Sequence, residues 1–377
     1  MSSHVLPERT DPPVAVPEHR APSPDSTDAA SFRRSKRRSG ELEEQIAAEP
    51  GRFRVLTGDR PTGALHIGHY FGTLRNRVRL QRAGVEMMLL VADYQVITDR
   101  DSVGQIEDNV RQVVLDNLAA GIEPDTTIFV HSAVPALNQL LLPFLSLTTV
   151  AELQRNPTVK DEAAAAGISS ISGLMLTYPV HQAADILFGK ANLVPVGKDQ
   201  LPHVEATRQI ARRFNDRYAG GQPLFPVPDA LLSEAPLLLG TDGRKMSKSS
   251  QNTIELRHSA DETARRLRAA RTDSERRITY EPERRPEVSN LVLLAALCQG
   301  RAPADVAADI GDRGAAALKA TVIEAVNEAM APLRARRAEL AADPGLVRQV
   351  LRAGNERANA LAEATLQEVR AVMRMRY

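Results

Sequence analysis

The chain has 377 residues, 43% hydrophobic and 25% charged, and its 48 basic and 47 acidic side chains nearly cancel. These proportions exclude a fibre, a membrane span or a disulfide scaffold, and a net charge of +1 gives no bulk attraction for a polyanion. The single cysteine, Cys298, excludes an intrachain disulfide and a cysteine-rich zinc site.

Residues 1–50 are rich in Pro, Ser and charge and nearly empty of large apolar groups, which predicts a disordered extension. No apolar run in residues 1–30 reads as a signal peptide, and the acidic residues there argue against a transit peptide. The basic cluster Arg33-Arg34-Ser35-Lys36-Arg37-Arg38 suits RNA phosphates, although a solvated tail is the favoured reading. The fold is expected to begin with a strand at 53–57, followed by a glycine-bearing loop, Gly58 to Gly63. An amphipathic helix is predicted over 65–81, and a strand over 85–93. That strand is almost continuously apolar, so both faces need covering, as in a parallel sheet flanked by helices. A helix near 103–120 and a strand at 127–131 repeat the alternation.

Strand–helix–strand alternation predicts an α/β fold: a doubly wound, Rossmann-like parallel sheet that binds a nucleotide. From Ser259 to Tyr377 only helical spacing is found, with Ala331-Pro332 starting or kinking one helix and Asp343-Pro344 opening the last. The expected organisation is a 1–50 extension, a 51–258 catalytic domain and a 259–377 all-helical C-terminal domain. Cys298 follows the apolar run 291–297 and reads as a buried structural thiol, in keeping with a reducing cytoplasm.

The first loop joins a strand to a helix, so backbone N–H groups and a helix start converge on one point, which favours an anion. His66 and His69 lie on one face of the opening turn and can donate to phosphate oxygens. Such a pair alone is more often structural. Far downstream, Lys245-Met246-Ser247-Lys248-Ser249 follows the glycine-rich stretch 240–243. Two lysines and two hydroxyls on a mobile loop can close over a triphosphate and stabilise a leaving pyrophosphate. Both motifs in this order are rarely coincidental.

With His66-Ile67-Gly68-His69 and Lys245-Met246-Ser247-Lys248-Ser249 in place, the chain resembles the class I aminoacyl-tRNA synthetases, and within them the tryptophanyl group. The likeness spans residues 53–377. It includes the stretch 58–70, Leu176-Thr177-Tyr178-Pro179, the run 182–187, the run 194–200 and Arg271-Thr272-Asp273-Ser274.

The resemblance implies activation of tryptophan by ATP, with magnesium as charge neutraliser, followed by transfer to tRNA(Trp). It implies a phosphate and adenine side formed by Arg60, Pro61, Thr62, Gly68 and His69. Gly197, Lys198 and Asp199 would hold the ribose. Lys245 and Lys248 would follow the β- and γ-phosphates, with Leu238, Met246, Ser247 and Ser249 also at the ATP site and Lys160 as a further pyrophosphate-facing lysine or a plain surface residue. Asp185 would select the amino acid by accepting the indole N–H, with Tyr178 and Gln200 on the α-amino group. Gln182 and Gln95 would complete the pocket, where many bacterial relatives have methionine and histidine. A symmetric homodimer and a cytoplasmic location are also implied, and no metal-ligand set or membrane segment is expected. The apolar run 135–145 is a candidate intersubunit surface. The alternatives are a tyrosyl-type synthetase and a non-catalytic tryptophan- or RNA-binding paralogue.

Overall fold

A computed structural model describes residues 27–98, 104–165, 170–233, 238–246 and 251–377. Its centre is a five-stranded sheet: β1 (Arg54–Asp59), β2 (Glu86–Val91), β3 (Thr127–Val130), β4 (Leu193–Val196) and β5 (Asp229–Leu232). The order is β3-β2-β1-β4-β5, and every pairing is parallel. The apolar run Met87–Val91 is buried throughout, as expected of a central strand covered on both faces.

Strand β1 is longer than expected, because Gly58 and Asp59 pair with Leu90 and Val91 and extend it into the predicted loop. Beside it β4 pairs at one position only, Val55 with Leu193, so the two strands splay towards their carboxyl ends. Chain order reverses between β1 and β4, which makes that gap the switch-point crevice of a doubly wound sheet.

Helices cover both faces. After the first loop come a short helical turn, Ile67–His69, a π-helical turn, Tyr70–Leu74, and a longer helix, Arg75–Arg82. Further on are Ile106–Ala120, which ends on Gly121 in the left-handed conformation, then Pro157–Ala165, Gly173–Leu187 and Leu201–Tyr218. From Ser259 every element is helical, including Ala260–Arg268, Pro286–Gln299, Gly314–Ala341 and Leu346–Val372. Pro332 lies inside the third of these rather than starting it. One core joins helices 75–82 and 106–120 to the helices of residues 286–341, and the other lies beneath 173–187 and 201–218. Cys298 is half-buried, and burial pushes its thiol up to about 12, consistent with an inert structural role.

The 1–50 extension is not disordered throughout. Residues 27–48 form a helix, Thr27–Ala48, that packs on β5 and buries Leu42 and Ile46 in the main core. Only two large apolar residues per several turns are needed for this, which is why the composition was misleading. Ser39 Oγ accepts the Leu232 N–H of edge strand β5 at 2.9 Å, and Arg38 pairs with Asp229 at 2.7 Å. The opposite edge is closed by the last helix, where Asn355 Oδ1 accepts the Val130 N–H at 3.1 Å. Gly354 permits that contact, since a Cβ there would fall 1.8 Å from the Ile128 carbonyl oxygen. Both edges of the sheet are thus blocked by helices from the two ends of the described chain. Among the described residues, no single helix is long and apolar enough to cross a membrane.

Candidate active site

The crevice between β1 and β4 holds a cavity of about 290 Å³ at the carboxyl ends of the strands. Seven residues singled out from the sequence line it together: Arg60, Gln95, Tyr178, Gln182, Asp185, Gly197 and Gln200. Tyr178, Gln182 and Asp185 come from helix 173–187 at spacings of four and three, so they share one face. Gly197 and Gln200 come from the turn after β4, and Gln95 from the 3₁₀ turn after β2.

Asp185 lies at the base of this cavity and is only 1% exposed. His131 Nε2 is 2.8 Å from its Oδ1, whereas its Oδ2 is buried with no hydrogen-bond partner among the described residues. A buried carboxylate oxygen left unsatisfied is costly, so the site is complete only when something donates to it. Burial alone would discharge His131, but Asp185, with Asp93 behind it, outweighs that effect and raises its pKa. Burial lowers the pKa of the neighbouring His181, whose Nε2 lies 2.7 Å from Asn138 Oδ1.

Tyr178 Oη is 3.1 Å from His203 Nε2, and Asn156 Nδ2 is 3.4 Å from His203 Nδ1. With the amide donating to Nδ1, the Nε2–H donates to the phenol; this tautomer follows from the network. Burial pushes the His203 pKa down to about 4, so the ring is neutral at pH 7. On the opposite wall, Arg77 is 2% exposed and pairs with Asp59 at 2.5 and 3.1 Å. Burial would raise the Asp59 carboxyl, but Arg77 outweighs it and holds the group below the usual carboxylate range.

The first loop is tied down from below. Asp116, fully buried, accepts the Leu65 N–H at 3.0 Å and pairs with Arg337 at 2.6 Å. Pro61 is buried, and the Thr62 N–H closes onto the Arg60 carbonyl at 2.8 Å. His69 Nδ1 accepts the His66 N–H at 3.1 Å, and the rings are 3.7 Å apart, so this pair first shapes the helix start.

The second motif returns to the first. The Ile67 N–H donates to the Ile254 carbonyl, and the Leu256 N–H to the Leu65 carbonyl. A Cβ at Gly68 would lie 3.0 Å from the His66 ring and 3.4 Å from Met246 Sδ, so the first turn and the second motif lie against each other at this glycine. Lys245 is exposed, and its backbone bridges Leu239 next to the buried Leu238. Ser247, Lys248 and Ser249 lie outside the described residues.

Lys160 is exposed on helix 157–165 and does not line the cavity. That helix does touch the turn after β4, since Thr158 Oγ1 donates to the Asp199 carbonyl at 3.2 Å. Asp199 Oδ2 accepts from Gln200 Nε2, and Gly197 leaves room for Oδ1, which a Cβ would approach to 2.7 Å. Lys198 stacks over the Phe32 ring of the N-terminal helix at 4.9 Å. The sequence reading assigned no role to His131, to His203 or to the Asp59–Arg77 pair. His131 entered only as the end of a strand, and nothing in its spacing from Asp185 announces the contact.

A strand-crossover crevice, a histidine-bearing first turn and a lysine loop folded against it define a nucleotide-activating site of the class I synthetase type. Consistent with this, a family model for "tRNA synthetases class I (W and Y)" matches residues 49–331, and the chain belongs to that family. A tryptophan–tRNA ligase of Treponema pallidum is 41% identical over 332 residues, 85% of this chain and 96% of the relative. One from Streptococcus agalactiae is 39% identical over 86% of this chain and 98% of its own length. The crystal structure of tryptophanyl-tRNA synthetase from Campylobacter jejuni, complexed with ADP and tryptophan, superposes with a TM-score of 0.72 at 30% identity. It covers 85% of this chain and 99% of its own. Within the family the chain is an ATP-dependent tryptophan–tRNA ligase.

Proposed function

We propose that the cavity between β1 and β4 is the tryptophan pocket and that Asp185 Oδ2 is the acceptor for the indole N–H. The observation carrying this reading is a cavity-lining carboxylate with one oxygen buried and, among the described residues, unpartnered. An indole donates one hydrogen bond from an otherwise apolar ring; a phenylalanine ring would leave the carboxylate unsatisfied. Tyr178 and Gln200 hold the α-amino group, and Gln95 and Gln182 border the ring.

ATP lies along the same crevice. Arg60, Pro61, Thr62, Gly68 and His69 bound its phosphate and adenine side, and Gly197, Lys198 and Asp199 its ribose. The tryptophan carboxylate attacks the α-phosphorus, tryptophanyl-adenylate forms and pyrophosphate leaves. Lys245 and Lys248 neutralise the charge developing on pyrophosphate, with Lys160 on helix 157–165 as a further cation; Leu238, Met246, Ser247 and Ser249 are assigned to ATP binding as well. No covalent enzyme intermediate is needed, so the residues act by positioning and electrostatics. The carboxylates at the cavity are already engaged, Asp59 by Arg77 and Asp185 by His131, so magnesium would arrive with the ATP phosphates. The adenylate then acylates tRNA(Trp) and AMP leaves. We assign the helices of 259–377 to the anticodon side of the tRNA, the working unit to a homodimer and its location to the cytoplasm.

Asp185→Ala should lower kcat/KM for tryptophan by roughly 30- to 1,000-fold, about 2–4 kcal/mol, and leave ATP binding intact. Amino-acid-dependent ATP–pyrophosphate exchange measures it. Unchanged exchange would remove Asp185 from the role.

A further inference from the structure

His131 has no place in the reaction as described, and it does not line the cavity. It is nevertheless fully buried. Its ring stacks on Tyr94 at 6.0 Å with planes 14° apart, and lies 4.6 Å from the His181 ring. Its backbone carbonyl accepts from Asn138 Nδ2 at 3.4 Å, and Nδ1 lies 4.0 Å from Asp93 Oδ1. Asp93 is in turn held by the Ser132 N–H and hydroxyl. Among the described residues the ring makes one hydrogen bond, Nε2 to Asp185 Oδ1, and its Nδ1 has no partner.

His131, His181 and Asp185 bring three ligand atoms within 4.8 Å of one another, which raises a metal site as an alternative. The geometry favours hydrogen bonding instead. Nε2 and Oδ1 are 2.8 Å apart, closer than the ~3.3 Å between neighbouring ligands on a tetrahedral zinc with ~2.0 Å bonds. His181 Nε2 is already engaged by Asn138.

We propose that His131 is the positioning residue for amino-acid selection: its Nε2–H pins one oxygen of Asp185 so that the other faces the indole N–H. This rests on the reading that Asp185 accepts that N–H. The terminal torsion of an aspartate is soft, so a carboxylate with one oxygen unheld can rotate or take up a proton. A protonated or rotated acid accepts poorly from an indole and no longer penalises a ligand without a donor. A charge-assisted bond from a ring packed between two aromatic rings removes both options.

The test compares His131→Gln with His131→Asn in the full-length enzyme, with Asp185→Ala as a third arm. A glutamine amide nitrogen falls near the imidazole Nε2 position, whereas the asparagine amide falls near Nδ1 and cannot reach Asp185. Both variants place an amide in the same pocket, so general damage affects them alike. The readout is the ratio of kcat/KM for tryptophan to that for the analogue whose indole N–H is replaced by sulfur, alongside KM for ATP.

His131→Asn should reduce the ratio by about tenfold or more, chiefly through KM for the amino acid, with KM for ATP unchanged. His131→Gln should retain most of it. If Asp185→Ala collapses the ratio while His131→Asn preserves it, or if both His131 variants fall equally, the positioning role is wrong and Asp185 stands. If Asp185→Ala preserves the ratio, the indole reading itself fails and takes this inference with it.

Discussion

Leu42→Ala tests whether the N-terminal helix is part of the fold or an appendage lying on it. Leu42 is 1% exposed and belongs to the same core as Ile46, Phe53 and the helices of the C-terminal half. Truncating a leucine in such a place removes its transfer free energy and leaves a cavity, together about 2–5 kcal/mol. Ser39→Ala adds a separate probe: it leaves the Leu232 N–H at the β5 edge without its acceptor, which costs about 1–3 kcal/mol where water cannot replace it. Urea unfolding followed by circular dichroism reads both, and the slope should stay constant if only stability changes. ATP–pyrophosphate exchange well below the transition should remain near the parent value, because neither side chain reaches the cavity. Deletion of residues 1–45 should go further and lower soluble yield and activity together, because it strips the edge of β5. A Leu42→Ala protein within about 0.5 kcal/mol of the parent would refute the argument, since that is the range of changes at surface positions away from the core.

Arg337→Ala should destabilise the protein by about 3–5 kcal/mol, because it leaves the buried Asp116 carboxylate without its cation beneath the first loop. Chemical denaturation measures this, and an effect under 1 kcal/mol would show that water replaces the guanidinium. His203 has its pKa pushed from 6.5 down to about 4, so as pH falls the unfolded chain takes the proton first. The stability is intact above about pH 6.5 and lost towards pH 4, roughly 2 kcal/mol of it by pH 5. His203→Gln should flatten the acid side of a melting-temperature profile, and an unaltered profile would exclude His203 as the titrating group. Leu142 is 75% exposed, whereas Ala136, Leu137, Leu140 and Phe144 of the same apolar run are fully buried in their own subunit. Leu142→Glu should therefore shift a dimer towards monomer in sedimentation at micromolar concentration, and a parent protein that is already monomeric would overturn the assignment.

The parts of this fold that could be read from the sequence are those written in periodicity. The run from Met87 to Val91 announces a central parallel strand because every position is apolar, and helix 106–120 follows at its usual spacing. The grouping of Tyr178, Gln182 and Asp185 was legible for a related reason: they lie on one face of one helix, so their convergence on one cavity is local geometry. His131 and Asp185 are 54 positions apart and meet only because β3 and helix 173–187 are brought together by the fold. Arg337 and Asp116 are 221 apart. A single buried polar contact of this kind has no periodic signature, since its two members satisfy each other and not a pattern.

The misreading of the N-terminal segment has the same origin and a structural consequence. Helix 27–48 is polar along most of its length and docks through Leu42 and Ile46 plus side-chain bonds to an edge strand. Polar docking suits that position, because an edge strand offers unpaired N–H and C=O groups and not an apolar face. The last helix does the same at β3, with Asn355, Arg357 and Asn359 bonding to backbone groups between Thr126 and Ala133. The two edges of the catalytic sheet are therefore sealed by hydrogen-bonding side chains that composition reads as solvated. The same β3 that Asn355 anchors delivers His131 to Asp185 from its carboxyl end. Closure of that edge and the setting of the buried Asp185 carboxylate thus depend on one short strand, four residues long.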